Sequence, residues 1–279
     1  GGVGGLEERI DQRARVQRVA IKAHHVVHVP VQRDDIARAC LLVQAVDVLG
    51  DHAGDETGVF ELGSTFKALT LAMALDSGKV QLSSTFDARA SLRYGKFTIH
   101  DYHAQNRFLT VPEIFTYSSN IGTARMALSL GVEYHKWFLR KMGQLDRLRT
   151  ELPESAEPIV PKRWGELNTV TIAFGHGLSV APLQAVAAIS ALVNGGYLIP
   201  PTFLKRSQED AMKLAKVVIK PETSEKMRYL MRLNAEKGSA KKADIPGYYV
   251  GGKTGTAEKV INGRYSSDHR FNAFLGAVP

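Results

Sequence analysis

Residues 253–278 read KTGTAEKVINGRYSSDHRFNAFLGAV. Lys253 to Val260 and Arg270 to Val278 have the character of strands, and Asn262-Gly263 between them supplies the positive-φ residues of a tight hairpin turn. Tyr248 to Val250, just upstream, is also strand-like. The hairpin decides the fold class because everything before it reads mainly as helix. Pro221 opens a helix that runs to about Asn234, and Pro182 opens a strongly apolar one that stops at Asn194-Gly195-Gly196. Helices first and an antiparallel hairpin last predict an α+β domain, an antiparallel sheet with a helical cluster, and not a doubly wound parallel sheet.

Further upstream, Gly63-Ser64 opens an apolar-periodic run of Phe66, Leu69, Leu71, Met73, Ala74 and Leu75 that Gly78 terminates. The pattern predicts a mostly buried helix with Ser64 in its first turn. Residues 80–110 read as irregular, and Pro112 begins a short apolar segment to Tyr117. Asn120 leads into a helix from Ile121 to Leu130, ended by Gly131, and Glu133 to Met142 follows as another. Pro153, Pro158 and Pro161 favour a long loop from Gly143 to Asn168. Thr169 to Phe174 is a β-branched run leading into Gly175-His176-Gly177.

Three short motifs carry chemistry. In Ser64-Thr65-Phe66-Lys67 a serine and a lysine three apart share one helix face, so a neutral amine can take the hydroxyl proton. Alone this pattern is weak, since at average residue usage it arises about once in a chain of this length. Ser239-Ala240-Lys241-Lys242 is such a second copy, in a Lys-rich polar stretch that reads as solvated surface. Ser118-Ser119-Asn120 offers a hydroxyl and an amide two residues apart, although Asn120 would serve equally as a helix cap. Lys253-Thr254-Gly255-Thr256 lies on the first hairpin strand behind Gly251 and Gly252, and glycines inside a strand mark close approach of a backbone or ligand.

In this order the three motifs resemble those of penicillin-binding proteins and class A β-lactamases. With Phe174-Gly175-His176-Gly177-Leu178-Ser179, the Pro182 helix and Gly252 through Glu258, residues 58–279 are similar to the transpeptidase domain of class B penicillin-binding proteins, of the septal, FtsI type. The resemblance implies a peptidoglycan D,D-transpeptidase of serine type that cross-links stem peptides ending in D-Ala-D-Ala at the division septum. Ser64 would be the nucleophile, Lys67 its base, Ser118 a proton relay and Asn120 a holder of the substrate amide. Lys253, Thr254, Gly255 and Thr256 would bind the terminal carboxylate, with the backbone N–H groups of Ser64 and Thr256 around the oxyanion. β-Lactams would acylate the same serine, and divisome proteins would be partners. No cofactor, metal or nucleic acid is implied, and the location would be the periplasmic face of the inner membrane. The alternatives are a serine β-lactamase and a penicillin-binding sensor or scaffold without catalysis. Glu166-Leu167-Asn168 bears on the first, because class A β-lactamases place a Glu near a Leu-Asn pair, but with a different spacing from the adjacent residues here.

Composition divides the chain. The net charge of +8 splits into −2 for residues 1–57, with seven basic and nine acidic groups, and +10 for the rest. Before Thr57 there is no Phe, Tyr, Trp, Met, Asn or Ser, so that part lacks aromatic anchors for a core. Its Val16, Val19, Val26, Val27, Val29 and Val31 suit short strands. Residues 1–57 match nothing in the family and are expected to be either out of frame, through a shifted reading frame or misassigned start, or disordered. The family's early strands, last strand and C-terminal helix have no counterpart in this sequence, which predicts open sheet edges, marginal stability and weak or absent penicillin labelling. Cys40, the single cysteine, excludes a disulfide scaffold. No stretch approaches the roughly 18 apolar residues of a membrane span, and no signal or anchor pattern is present. His24, His25 and His28 have helical spacing for metal ligands but read as solvent-facing, and His176, flanked by glycines, suits either a role near the site or a structural one.

Overall fold

The computed structural model describes residues 58–153, 155–261 and 264–278, together with the backbone of two earlier strands. These are β1 (His25–Val29) and β2 (Cys40–Asp47). A 3₁₀ turn at Gly63–Phe66 runs into α1 (Lys67–Asp76). Short strands β3 (Thr85–Asp87), β4 (Leu92–Tyr94), β5 (Phe97–Ile99) and β6 (Phe108–Thr110) follow. Then come α2 (Val111–Thr116), α3 (Asn120–Leu130), α4 (Val132–Lys141), α5 (Glu166–Ala173) and α6 (Pro182–Val193). After β7 (Tyr197–Leu198), α7 (Gln208–Leu214), β8 (Lys216–Val217) and α8 (Pro221–Lys237), the long strands β9 (Gly251–Ile261) and β10 (Arg264–Val278) complete the order.

The architecture is α+β, with an antiparallel sheet in the order β1-β2-β10-β9 beside a cluster of helices. β9 and β10 form the expected hairpin, paired from Gly251 opposite Ala277 to Ile261 opposite Arg264, and the turn dipeptide Asn262-Gly263 lies outside the described residues. One expectation is corrected on this sheet. The edge of β10 is not open, because Phe271 to Val278 pair with Asp47 to Cys40 of β2. Two strands of this sheet thus come from residues 25–47, and Val26, Val27 and Val29 lie in β1. Val16, Val19, Val31 and His24 lie outside the described residues, as do the side chains of His25 and His28.

α1 is the centre of the helical cluster, buried at every position from Lys67 to Leu75. A helix that is apolar on all faces cannot lie on a surface, and Leu69, Leu71 and Met73 are each at most 1% exposed. Around it, α2 starts with a capping box between Thr110 and Glu113, and α3 starts at the Ser119 hydroxyl, which accepts from Gly122 N–H. The β-branched run Thr169 to Ile172 forms the body of α5. Its buried Thr169, Val170 and Ile172 face the interior, and Thr169 accepts from the Trp164 indole N–H at 2.9 Å, so packing outweighs strand propensity there. The region 80–110 is less irregular than expected: β3 pairs with β6, and β4 with β5. The helix α7 carries no buried residue, which explains why hydrophobic periodicity did not reveal it.

Glycines let three backbones converge on one point. A Cβ at Gly63, where φ is +53°, would run into the Thr256 carbonyl of β9, and one at Gly175 into the Gly63 carbonyl. Gly255 likewise faces the Leu62 carbonyl and the Thr65 backbone. The Gly63 N–H donates to the Gly175 carbonyl at 3.1 Å. Phe60 pairs reciprocally with Val180 at 3.0 Å and stacks on Phe271 of β10. The turn bearing Ser64 is thereby pressed against the sheet on one side and the Gly-His-Gly loop on the other.

Candidate active site

Ser64 is half-buried at the start of the 3₁₀ turn, where the first N–H groups have no partner within the helix. One turn on, Lys67 is fully buried, and its Nζ has four oxygens within reach. They are Ser64 Oγ at 3.0 Å, Ser118 Oγ at 3.0 Å, the Ser118 carbonyl at 2.6 Å and Asn120 Oδ1 at 2.8 Å. Two of the three motifs therefore meet on a single amine, across 51 to 53 residues of chain.

The chemistry of that amine follows from its neighbours. Burial pushes the Lys67 ammonium well below its usual range, the cation of Lys253 adds to this, and Asp101 opposes it. A neutral amine has two N–H donors and one lone pair. The Ser118 carbonyl and Asn120 Oδ1 can only accept, so they occupy both donors and leave the lone pair for the hydroxyl hydrogen of Ser64 or Ser118. Ser118 reaches this position with φ of +56°, in the left-handed region that non-glycine residues rarely occupy.

Lys253 is also fully buried, on β9, and burial lowers it to about 7. Its Nζ donates to Ser239 Oγ at 3.2 Å and to the Thr254 carbonyl at 3.0 Å. Ser239 in turn is held by Asn234, whose amide also donates to the Gly252 carbonyl at 2.7 Å. The second Ser-x-x-Lys copy is thus not plain surface: its serine is exposed, yet its hydroxyl touches the lysine of the third motif. Gly255 is buried against the nucleophile turn, whereas Thr254 is half-buried and Thr256 exposed, with the Thr256 hydroxyl donating to Asn272 Oδ1 at 3.0 Å.

Glu61, His176 and Tyr265 form a second polar group beside the turn. Glu61 accepts from Gly177 N–H at 2.8 Å and from the Tyr265 hydroxyl at 3.1 Å, and its other oxygen lies 3.2 Å from His176 Nδ1. Burial and the Glu61 charge push the Tyr265 phenol up. The reading that placed His176 near the site agrees with this geometry, but Glu61, Asp101 and Ser239 were not singled out. Glu166 sits exposed at the first position of α5, and none of the oxygens on Lys67 belongs to it. No group of metal-ligating side chains occurs among the described residues, and no described helix is long and apolar enough to cross a membrane.

A half-buried serine beside a buried lysine, a serine–asparagine turn and a lysine-bearing edge strand carry the motif trio of penicillin-binding transpeptidase domains, which class A β-lactamases share. The chain belongs to that family: the model of the penicillin-binding protein transpeptidase domain matches residues 53–279. It is 40% identical over 226 residues to the "Probable peptidoglycan D,D-transpeptidase FtsI" of Caulobacter vibrioides, covering 79% of this chain and 38% of the relative. It is 35% identical over 239 residues to the "Stage V sporulation protein D" of Bacillus subtilis, covering 79% and 37%. Among solved structures, the transpeptidase domain of penicillin-binding protein 3 from Burkholderia pseudomallei superposes with a TM-score of 0.70 at 26% identity, over 79% of this chain and 71% of that one. The chain spans well under half the length of these two curated relatives.

Proposed function

We propose that the chain is the acyl-transfer core of a serine D,D-transpeptidase that cross-links peptidoglycan stem peptides during septum formation. The observation that carries this reading is the buried Lys67 amine, within 3.0 Å of both the Ser64 and the Ser118 hydroxyls. Lys67 takes the Ser64 proton as Ser64 Oγ bonds to the carbonyl carbon between the last two D-alanines. The oxyanion forms between the N–H groups of Ser64 and Thr256, donors that need no reorganisation. Collapse breaks the C–N bond, Ser118 passes the proton from Lys67 to the departing D-alanine amine, and an ester remains on Ser64. A second stem's amine then displaces Ser64 from the acyl carbon, and the serine recovers its proton. Asn120 and the edge strand orient the donor, whose terminal carboxylate is met by Lys253, Thr254 and Thr256. β-Lactams present the same carbonyl and carboxylate and are expected to acylate Ser64. The setting is the outer face of the cytoplasmic membrane, in company with division proteins.

A β-lactamase needs a base that activates a water against the ester, and exposed Glu166 has no bond to Ser64 or Lys67 among the described residues. Incubation with a D-Ala-D-Ala donor and an amine acceptor should release D-alanine and form cross-linked product, while bound penicillin persists for many turnover times. Rapid penicillin hydrolysis would show a β-lactamase instead, and acylation without cross-linking a sensor.

A further inference from the structure

Asp101 belongs to none of the three motifs, yet it reaches into one of them. One carboxylate oxygen accepts from the Ser119 hydroxyl at 2.6 Å and the other from the Ile121 N–H at 2.9 Å. The preceding carbonyl, of His100, accepts from Asn120 Nδ2 at 2.9 Å. Two adjacent residues between β5 and β6 thus grip three successive residues of the Ser118–Ile121 turn. Ser119 is 1% exposed and fully committed, since its oxygen accepts from Gly122 N–H at 2.9 Å while its hydrogen goes to Asp101. The turn needs such a grip because Ser118 sits at φ +56°, a conformation a free serine leaves readily. In that conformation its carbonyl and hydroxyl both lie on Lys67.

We propose, on the acyl-transfer reading of the site, that Asp101 is a positioning residue: through Ser119 and Ile121 it fixes the turn that delivers Ser118 and Asn120 to Lys67. Its charge has a second effect. Lys253 on β9 and Asp101 on the strap before β6 are the charged groups that act on Lys67 among the described residues, and they act in opposite senses. Removing the anion leaves the ammonium form of Lys67 less favoured, so the base becomes available at lower pH.

The test uses the full chain as wild type, Asp101→Ala, Asp101→Asn and Ser119→Ala, each checked for a cooperative thermal transition. Acylation by a fluorescent penicillin is resolved into a saturating rate and a half-saturating concentration, across pH. Asp101→Ala should lower the saturating rate about 10- to 100-fold, the cost of a misplaced catalytic group, with little change in half-saturation. Asp101→Asn keeps an acceptor for Ile121 N–H and should recover most of the rate, with its acid limb displaced to lower pH. The titration of Lys67, followed by NMR of labelled lysine, should move the same way in Asp101→Asn whether or not the chain acylates. Wild-type rates in Asp101→Ala, or an unmoved Lys67 titration in Asp101→Asn, would overturn the role of Asp101. A wild-type chain that never labels would instead refute the acyl-transfer reading, leaving the lysine titration to decide on Asp101.

Discussion

His135 on α4 makes the chain acid-sensitive in a way that can be worked out in advance. The ring is completely buried, both nitrogens lack a hydrogen-bond partner among the described residues, and its neighbour is the edge-on indole of Trp164. Burial alone lowers it from 6.5 to about 3. A folded value below the unfolded one means that the unfolded chain binds the proton first, so stability falls as pH drops through 6.5 and continues to fall to about 3. Between pH 7 and pH 5 the loss from this one group is about 2 kcal/mol, since nearly 1.5 pH units of unshared protonation accrue at 1.36 kcal/mol each. Other groups titrate in the same range, so the informative quantity is the difference between wild type and His135→Leu. Urea denaturation of both proteins at pH 7 and pH 5 should show the variant losing about 2 kcal/mol less than wild type. At pH 7 the variant should be no less stable, because leucine removes two unsatisfied nitrogens. Equal pH dependence in the two proteins would refute the reasoning, since it would mean that the ring finds a partner or reaches water.

Three further outcomes follow from the site. The second-order rate constant for penicillin acylation should decline above about pH 7, because it reports the free enzyme, in which Lys253 loses its charge near 7; a flat profile to pH 9 would exclude Lys253 as the carboxylate's cation. Gly63→Ala should abolish labelling and lower the melting temperature, since a Cβ there meets the Thr256 carbonyl at a positive φ, and retained labelling would show that the turn can shift. Glu61→Ala should cost about 1–3 kcal/mol in urea denaturation, because the Gly177 N–H and the Tyr265 hydroxyl lose their acceptor; Tyr265→Phe should cost less, as it leaves the Gly177 bond in place.

The sequence motifs proved legible because each is local and carries its own spacing. Ser64 and Lys67 are one helical turn apart, and the hairpin around Lys253 announces itself through Asn262-Gly263 and glycine-flanked strand. What escaped reading was interaction across the chain. Asp101 lies 18 residues from Ser119, and nothing in the local sequence marks it as a cap for another element's turn. Ser239 was set aside on its Lys-rich surroundings, which are exposed, yet Asn234 turns its hydroxyl toward Lys253. The β-branched Thr169 to Ile172 pointed away from helix because strand propensity ignores burial, and three of those residues are interior. Composition could not show the pairing of β2 with β10, because backbone pairing depends on register and not on aromatic anchors.

The hydroxyl that becomes acylated identifies the nucleophile. After incubation with penicillin, proteolysis and mass spectrometry should find the adduct on the peptide containing Ser64, absent from Ser64→Ala and still present in Ser239→Ala, the other serine placed three residues before a lysine. An adduct on any other residue, or one that survives in Ser64→Ala, would contradict the assignment of Ser64 as that nucleophile.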